Sequence, residues 1–117
     1  MPTFLINHLR IHNGIPNDEG LEYLERVEAT FLPYGGKWLA FGEPDEGLEG
    51  AWPGSIVLMA FPDREAAMAW YHSPEYQEIL HLRTDNAISD IVLVDEVDPA
   101  FTSARFARQV RAAMAAA

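Results

Sequence analysis

The chain has 117 residues, 49% of them apolar, which suits one globular domain and excludes a disordered protein. Its 18 acidic residues and 8 lysines and arginines give a net charge of −10, a balance that disfavours binding to nucleic acid or to an anionic membrane surface. The sequence has no cysteine, which excludes disulfides, zinc–thiolate sites and thiol nucleophiles. The sequence shows no signal peptide and no membrane span, so we expect a cytoplasmic protein.

The first part of the chain predicts a strand, a helix and a second strand. Residues 3–11 are rich in β-branched and aromatic side chains and precede a turn at Asn13-Gly14, which is typical of a strand. From about Glu19 to Leu32 the apolar residues recur at helical spacing and share one face (Leu21, Leu24, Val27, Phe31 and Leu32). Glycines 35 and 36 then end the helix, and residues 37–41 form the second predicted strand.

A loop over residues 42–54, rich in acids and glycine, leads to a third strand over residues 55–61. Two helical segments follow, the first capped by Asp63 and the second by Ser73, with Pro74 at the first helical position. Residues 90–95 form the fourth predicted strand. After Pro99 we expect a helix that runs to the end of the chain and contains the only charges beyond Asp98, which are Arg105, Arg108 and Arg111.

The order strand, helix, strand, strand, helix, strand predicts an α+β, ferredoxin-like βαββαβ sandwich with an antiparallel sheet. We assign residues 1–97 to this domain and residues 98–117 to a C-terminal helical extension. Both helices of such a sandwich cover one face of the sheet, so the other face should be polar. The third and fourth strands are instead apolar on both faces. An uncovered apolar sheet would be a large exposed patch, so we predict a homodimer that packs sheet to sheet.

Several sequence strings resemble a bacterial family of unknown function, the domain-of-unknown-function family numbered 1330, within the dimeric α+β barrel superfamily. The strings are YGGK at 34–37, LEGAWP at 48–53, FPDREAA at 61–67, AWYHSPEY at 69–76 and LR at 82–83. The resemblance covers roughly residues 3–97 and implies a ferredoxin-like fold and a dimer. It supplies no established activity and no catalytic residues. Wider relatives in the superfamily include cofactor-free monooxygenases, haem-degrading proteins, isomerases and decarboxylases, and a shared fold does not choose among them.

The sequence contains no motif for a metal or a built-in cofactor, and we expect neither. His8 and His12 would lie roughly 13 Å apart on a strand that rises about 3.3 Å per residue, which is too far to share an ion. No HExxH pattern or facial triad of two histidines and a carboxylate occurs. The Gly35-Gly36-Lys37 string lacks the rest of a phosphate-binding loop.

Three polar residues occupy positions where apolar ones are expected, and they are the catalytic candidates. Glu28 lies within the apolar arc of the first helix, Arg83 shares a helix face with Tyr76, and His8 shares a strand face with Phe4. One interpretation is structural: Glu28 and Arg83 extend to solvent or pair with each other. The other is that they border a pocket between helices and sheet, where Arg83 holds a substrate anion and His8 or Glu28 moves a proton.

Four aromatic residues are candidates for substrate binding: Tyr34, Trp38, Trp52 and Tyr76. Trp52 lies in an acidic Gly/Pro loop, where it would either cap a pocket or bury into a dimer partner. Trp70, in the centre of an alanine-rich helix face, is predicted to be in the core. The leading hypothesis is a cofactor-free enzyme that performs acid/base or oxygen chemistry on an aromatic or polyketide-like molecule. The alternatives are a non-catalytic ligand-binding dimer and a structural dimer with no pocket.

Overall fold

The computed structural model describes all residues, 1–117. The chain folds into a four-stranded antiparallel sheet with three helices against it, in the ferredoxin-like arrangement that the sequence predicts. The elements are β1 (Thr3–Ile11), α1 (Asp18–Phe31), β2 (Lys37–Gly42), β3 (Ser55–Phe61), α2 (Arg64–Tyr71), α3 (Pro74–Thr84), β4 (Ala87–Asp95) and α4 (Ser103–Ala116). Strand β4 begins three residues earlier than the sequence indicates. None of the helices is long and apolar enough to cross a membrane.

Polar side chains cap the N-termini of the helices, and two of these caps, Asp63 and Ser73, are the ones that the sequence predicts. The Asp63 carboxylate accepts a hydrogen bond from the backbone N–H of Ala66 (2.8 Å), and Ser73 accepts one from Tyr76 (3.3 Å). Asn17 caps α1 in the same way through the N–H of Gly20 (3.0 Å). Each bond satisfies a backbone donor that the helix itself leaves free, so these side chains fix where the helices start.

The sheet has the strand order β2-β3-β1-β4, and every neighbouring pair is antiparallel. Alternation along β1 sends Leu5, Asn7 and Leu9 toward the helices and the intervening residues to the outer face. A bulge at Leu39 in β2 shifts the alternation, so that both Trp38 and Phe41 point to the helix side. The buried core lies between this face and the helices.

The outer face of the sheet is apolar in its centre and open in the single chain. Ile6 of β1 stands opposite Leu58 of β3 on one side and Val92 of β4 on the other. Val92 is 56% exposed and Val94 is 46% exposed, although both are large apolar side chains. The exposure of these apolar side chains agrees with the sequence-based prediction that the second face of the sheet is apolar.

Helix α4 extends away from the body of the chain. All its residues are exposed, including the apolar side chains of Phe106, Val110 and Met114. Thr102 caps the helix by accepting a hydrogen bond from the N–H of Arg105 (3.1 Å). The single chain therefore does not cover the apolar face of α4 with its own acidic body.

Candidate functional site

A cavity of about 270 Å³ separates the sheet from α1 and α3. Its walls are mostly apolar and include Leu5, Leu9, Val57, Met59, Trp38 and Trp70. Gly20, in the N-terminal half of α1, lines the cavity. Leu21, near the start of α1, is 47% exposed, whereas Val27 and Phe31, six and ten residues further on, are buried. Of the five residues on the predicted apolar face, only Val27 and Phe31 are buried, whereas Leu21, Leu24 and Leu32 are exposed.

A polar cluster lies in one wall of this apolar cavity. The hydroxyl oxygens of Tyr23 on α1 and Tyr76 on α3 are 2.8 Å apart, and either hydroxyl can be the donor. Arg83 donates from Nη2 to the Tyr76 oxygen (3.3 Å), and its guanidinium carbon lies 5.8 Å from the centre of the Tyr23 ring. Arg83 lies seven residues after Tyr76, two turns along α3, so the helix brings both side chains to the same face.

Arg83 is buried without an anionic partner. Only 8% of the residue is exposed, no carboxylate forms an ion pair with it, and its Nε–H has no hydrogen-bond acceptor. Asn7, 5% exposed on β1, lines the same cavity, and its Oδ1 has no donor. Buried polar groups in native proteins are nearly always paired, so the wall that contains Arg83 and Asn7 is the candidate site.

The cluster is a hydrogen-bond donor and not a base. Burial, the neighbouring Tyr76 oxygen and the hydrogen bond to it raise the pKa of Tyr23 far above its ordinary value, although Arg83 opposes the shift. Burial lowers the pKa of Arg83, but the oxygens of Tyr76 and Tyr23 outweigh it and leave this pKa above its ordinary value. Near neutral pH the site therefore offers a fixed cation and a protonated phenol, which together stabilise negative charge on a bound molecule.

Replacing Tyr23 by Phe should make the protein less sensitive to alkali. Above the ordinary tyrosine pKa of about 10, the unfolded chain releases this proton but the folded chain keeps it, so the free energy of unfolding falls as pH rises. Urea unfolding between pH 8 and pH 11 should show a shallower decline for Tyr23→Phe than for the wild type. Equal slopes for the two proteins would contradict the prediction.

The opening of the cavity lies between two loops. Gly14, Pro16 and Asn17 from the segment after β1 face Phe41 and Glu43 at the end of β2. The first segment turns sharply because Asn13 and Gly14 both have left-handed backbone conformations, with φ of 59° and 69°. It is held to the rest of the protein by a hydrogen bond from Asn17 Nδ2 to Asn86 Oδ1 (2.6 Å). The long first loop therefore forms part of the site opening.

His8, a predicted catalytic candidate, lies on the opposite face of the sheet from the cavity. Its Nε2 is 2.6 Å from the carbonyl oxygen of Pro53, so Nε2 carries the proton and donates it. Nδ1 accepts a hydrogen bond from Arg10 (2.9 Å), and the ring lies 4.5 Å from that of Trp52. His8 and Trp52 therefore belong to the outer sheet face, because even-numbered residues of β1 point away from the helices.

Glu28 is also separate from the cavity. It is exposed on α1 and accepts a hydrogen bond from the indole Nε1 of Trp38 (2.9 Å), so it points toward β2 and not toward α3. The structure therefore brings neither Glu28 nor His8 to Arg83. Among the predicted aromatic binding residues, Trp38 and Tyr76 line the cavity, whereas Tyr34 and Trp52 do not.

Sequence reasoning missed Asn7 and Tyr23. Asn7 lies between Leu5 and Leu9 on the same face of β1. A polar amide between two leucines on one strand face is a pattern from which a polar group in the core could have been predicted. Tyr23 precedes buried Val27 by one helical turn, which is a weaker signal because tyrosines at helix edges are common. No group of three or more His, Asp or Glu side chains is arranged to hold a metal ion.

The fold and the cavity define a ferredoxin-like α+β protein with a pocket between its helix layer and its sheet. Residues 2–97 match the family model described as "Domain of unknown function (DUF1330)", and the chain belongs to that family. The comparison with curated proteins found no match.

Three solved structures illustrate the fold. The protein of unknown function RPA0582 from Rhodopseudomonas palustris is 18% identical, with 84% of each chain covered and a TM-score of 0.65. A dimeric ferredoxin-like protein of unknown function from Jannaschia sp. CCS1 is 12% identical over 82% of this chain and 100% of that one, with a TM-score of 0.64. SnoaB, a cofactor-independent oxygenase from Streptomyces nogalater, is 16% identical over 86% of this chain and 97% of that one, with a TM-score of 0.58. At these identities the likeness shows the fold alone.

Proposed function

We propose that this protein is a homodimer that binds a small, largely apolar organic molecule in the cavity between α1, α3 and the sheet. The observation that carries this proposal is the buried Arg83, which has no carboxylate partner and lines a mostly apolar cavity. Tyr76 and Tyr23 contact the guanidinium but supply no counter-charge, and a bound anion would supply one. Few polar groups in an apolar pocket are typical of small-molecule sites.

Binding is better supported than proton-transfer catalysis. The only carboxylate that lines the cavity is Glu43 at its opening, and no histidine lines it. Tyr23 holds its proton too tightly to act as a base, because burial raises its pKa. A group that removes a proton at neutral pH is therefore not present beside Arg83.

Cofactor-free conversion of the ligand is the second candidate. The Tyr23–Tyr76–Arg83 cluster favours it, because the one hydroxyl proton not used between the two tyrosines and the guanidinium can stabilise an enolate or phenolate of the bound molecule. The fold likeness to SnoaB, a cofactor-independent oxygenase, is consistent with this chemistry. A substrate that ionises by itself would need no base from the protein, which distinguishes this candidate from acid/base catalysis.

A cavity-filling substitution tests the proposed function. Leu9 lines the cavity, so Leu9→Trp should fill part of it and abolish binding, at a cost of about 1–3 kcal/mol in the free energy of unfolding. Saturation-transfer NMR with a library of small aromatic compounds should detect binding to the wild type. Leu48→Trp, at a position that is 90% exposed, is the matched control and should bind like the wild type. Identical binding by Leu9→Trp and wild type, or no binding by either, would refute the proposal.

The homodimer follows from the apolar outer sheet face. Val92 and Val94 are exposed there beside Ile6 and Leu58, and a second copy of the same face covers all of them under twofold symmetry. Two of the fold relatives are described as dimeric ferredoxin-like proteins. The sheet-to-sheet arrangement also leaves the cavity on the helix side free for a ligand in each subunit.

Helix α4 adds a second surface for the partner subunit. Its apolar side chains at Phe106, Val110 and Met114 are exposed, and Arg105, Arg108 and Arg111 are the only charges after Asp98. The rest of the chain is strongly acidic, so the acidic body of a second copy complements this helix. We infer that α4 packs on the partner subunit of the homodimer.

A further inference from the structure

We propose that helix α4 of one subunit packs in a groove at the cavity opening of the partner subunit, so that the second copy completes each ligand site. The groove lies between α1 and the end of β2, and its floor consists of Leu21, Leu24 and Phe41. We call this surface the entrance groove. The inference rests on the homodimer of the proposed function and names the surface of the partner that receives α4.

The floor of the entrance groove is apolar and uncovered in the single chain. Leu21 and Leu24 lie within about 60° of each other around α1, and Glu28 points between them. Glu28 faces β2, because its carboxylate accepts a hydrogen bond from the indole of Trp38 (2.9 Å), and the Trp38 ring packs against Phe41 (centroids 5.6 Å apart). The same side of α1 therefore places the two leucines next to Phe41, and all three apolar side chains are exposed.

The rim of the entrance groove is acidic. Glu25 and Glu28 on α1 and Glu43 after β2 are exposed, and none of them forms an ion pair within the chain. The one basic residue of α1, Arg26, pairs instead with Glu22 (2.9 Å). An apolar floor with an acidic rim is complementary to a surface that combines apolar side chains with positive charge.

Helix α4 presents such a surface. Phe106, Val110 and Met114 recur every four residues and form an exposed stripe about 12 Å long. Arg111 lies about 60° from Met114 around the helix, so its long side chain can reach a carboxylate beside the stripe. Ala112 lies about 160° from Val110, on the opposite face. The helix contains no acidic residue, and its three arginines form no ion pair within the chain.

The α4 helix of the partner fits the entrance groove better than the chain's own α4 does. Strand β4, which leads into α4, and strand β2, which borders the groove, are opposite edges of the sheet. The chain's own α4 would have to cross the whole sheet, and all its residues are instead exposed. In a sheet-to-sheet dimer β4 lies against the second copy, so the segment after β4 leaves the interface beside the partner subunit. Two α4 helices repel each other, because each carries three arginines and no acid.

Disulfide trapping between two subunits tests the inference, and the chain has no cysteine of its own to interfere. One variant carries Leu21→Cys in the entrance groove and the other carries Val110→Cys on α4, so a disulfide between them joins two chains. The matched control is Ala112→Cys, on the opposite face of α4. After mixing and mild oxidation, Val110→Cys should give at least about tenfold more dimer linked to Leu21→Cys than Ala112→Cys does, because a disulfide needs Cα atoms within about 7 Å. Mass spectrometry of the linked species identifies the two chains.

Thiol modification tests whether α4 covers the groove. In a Leu24→Cys protein the rate of reaction with a water-soluble maleimide reports the exposure of the groove floor. Adding Val110→Asp should raise this rate at least about tenfold, because a carboxylate among apolar side chains detaches the helix. Adding Ala112→Asp introduces the same charge on the opposite face and should leave the rate unchanged. Equal rates with Val110→Asp and Ala112→Asp overturn the inference.

The outcomes separate this inference from the proposed function. If the wild type sediments as a dimer but Leu21→Cys links equally to Val110→Cys and Ala112→Cys, or to neither, the inference is overturned and the homodimer stands. Preferential linking of two Val110→Cys chains to each other overturns it as well. A chain that carries both Leu21→Cys and Val110→Cys, diluted with cysteine-free protein, should not close the disulfide within itself; if it does, the groove holds the chain's own helix. Ligand binding is decided separately, by the library experiment with Leu9→Trp.

Discussion

Replacing Val92 by Asp should convert the protein from a dimer to a monomer. Val92 is 56% exposed on the outer sheet face, beside Ile6 in the neighbouring strand. In a sheet-to-sheet dimer each copy would bury one new carboxylate among apolar side chains, and twofold symmetry doubles the effect. An unpaired buried charge costs several kcal/mol, so we expect the dissociation constant to rise at least about a hundredfold.

Sedimentation at micromolar concentration measures this effect directly, with far-UV circular dichroism as the check on folding. Val92 makes little contact within its own chain, so the monomer should keep its secondary structure. Val97→Asp is the matched control, because Val97 is the same residue type, is 57% exposed and lies beyond β4. A dimeric Val92→Asp protein would show that this face is not the interface, and a monomeric wild type would refute the homodimer itself.

The elements were predictable because their signals are local. The cap residues Asp63 and Ser73 act on backbone groups three residues away, and the apolar character of β3 and β4 on both faces is visible in single strands. Residues 90–95 were recognised as a strand from their apolar run. The first residues of β4, Ala87 to Ser89, were missed because they owe their strand conformation to pairing with Leu9, Arg10 and Ile11, which the local pattern does not show.

The site was only partly predictable because it depends on which face of each element meets the helices. Arg83 was identified from its position among apolar residues of α3, and it is buried in the cavity wall. His8 shares a strand face with Phe4, as alternation requires, but alternation cannot say whether that face meets the helices. Helical spacing places Glu28 in the apolar arc of α1, but its carboxylate accepts a hydrogen bond from the indole of Trp38 on β2. Such long-range pairing leaves no local pattern.

Replacing Trp70 by Ala should destabilise the protein by about 3–5 kcal/mol, because Trp70 links the core to the cavity wall. Trp70 is 3% exposed, and its ring packs on Tyr76 (centroids 4.2 Å apart) and Phe61 (5.4 Å). Its Nε1–H donates to Thr30 Oγ1 (3.0 Å), so the substitution also leaves a part-buried hydroxyl without this partner. A loss of this size is a large part of the roughly 5–15 kcal/mol that holds a typical domain folded.

Thermal unfolding followed by circular dichroism should show a decrease in Tm of at least about 10 °C for Trp70→Ala. Leu48→Ala is the control: an apolar side chain is removed from a position that is 90% exposed, where the loss should stay below about 1 kcal/mol. Equal losses for the two variants would contradict the placement of Trp70 at the centre of the core.

Because Trp70 also lines the cavity, its removal enlarges the site, and the Ala variant should bind two-ring aromatic compounds that the wild type excludes. This result would show that the indole of Trp70 both stabilises the core and limits the size of the ligand that fits the cavity.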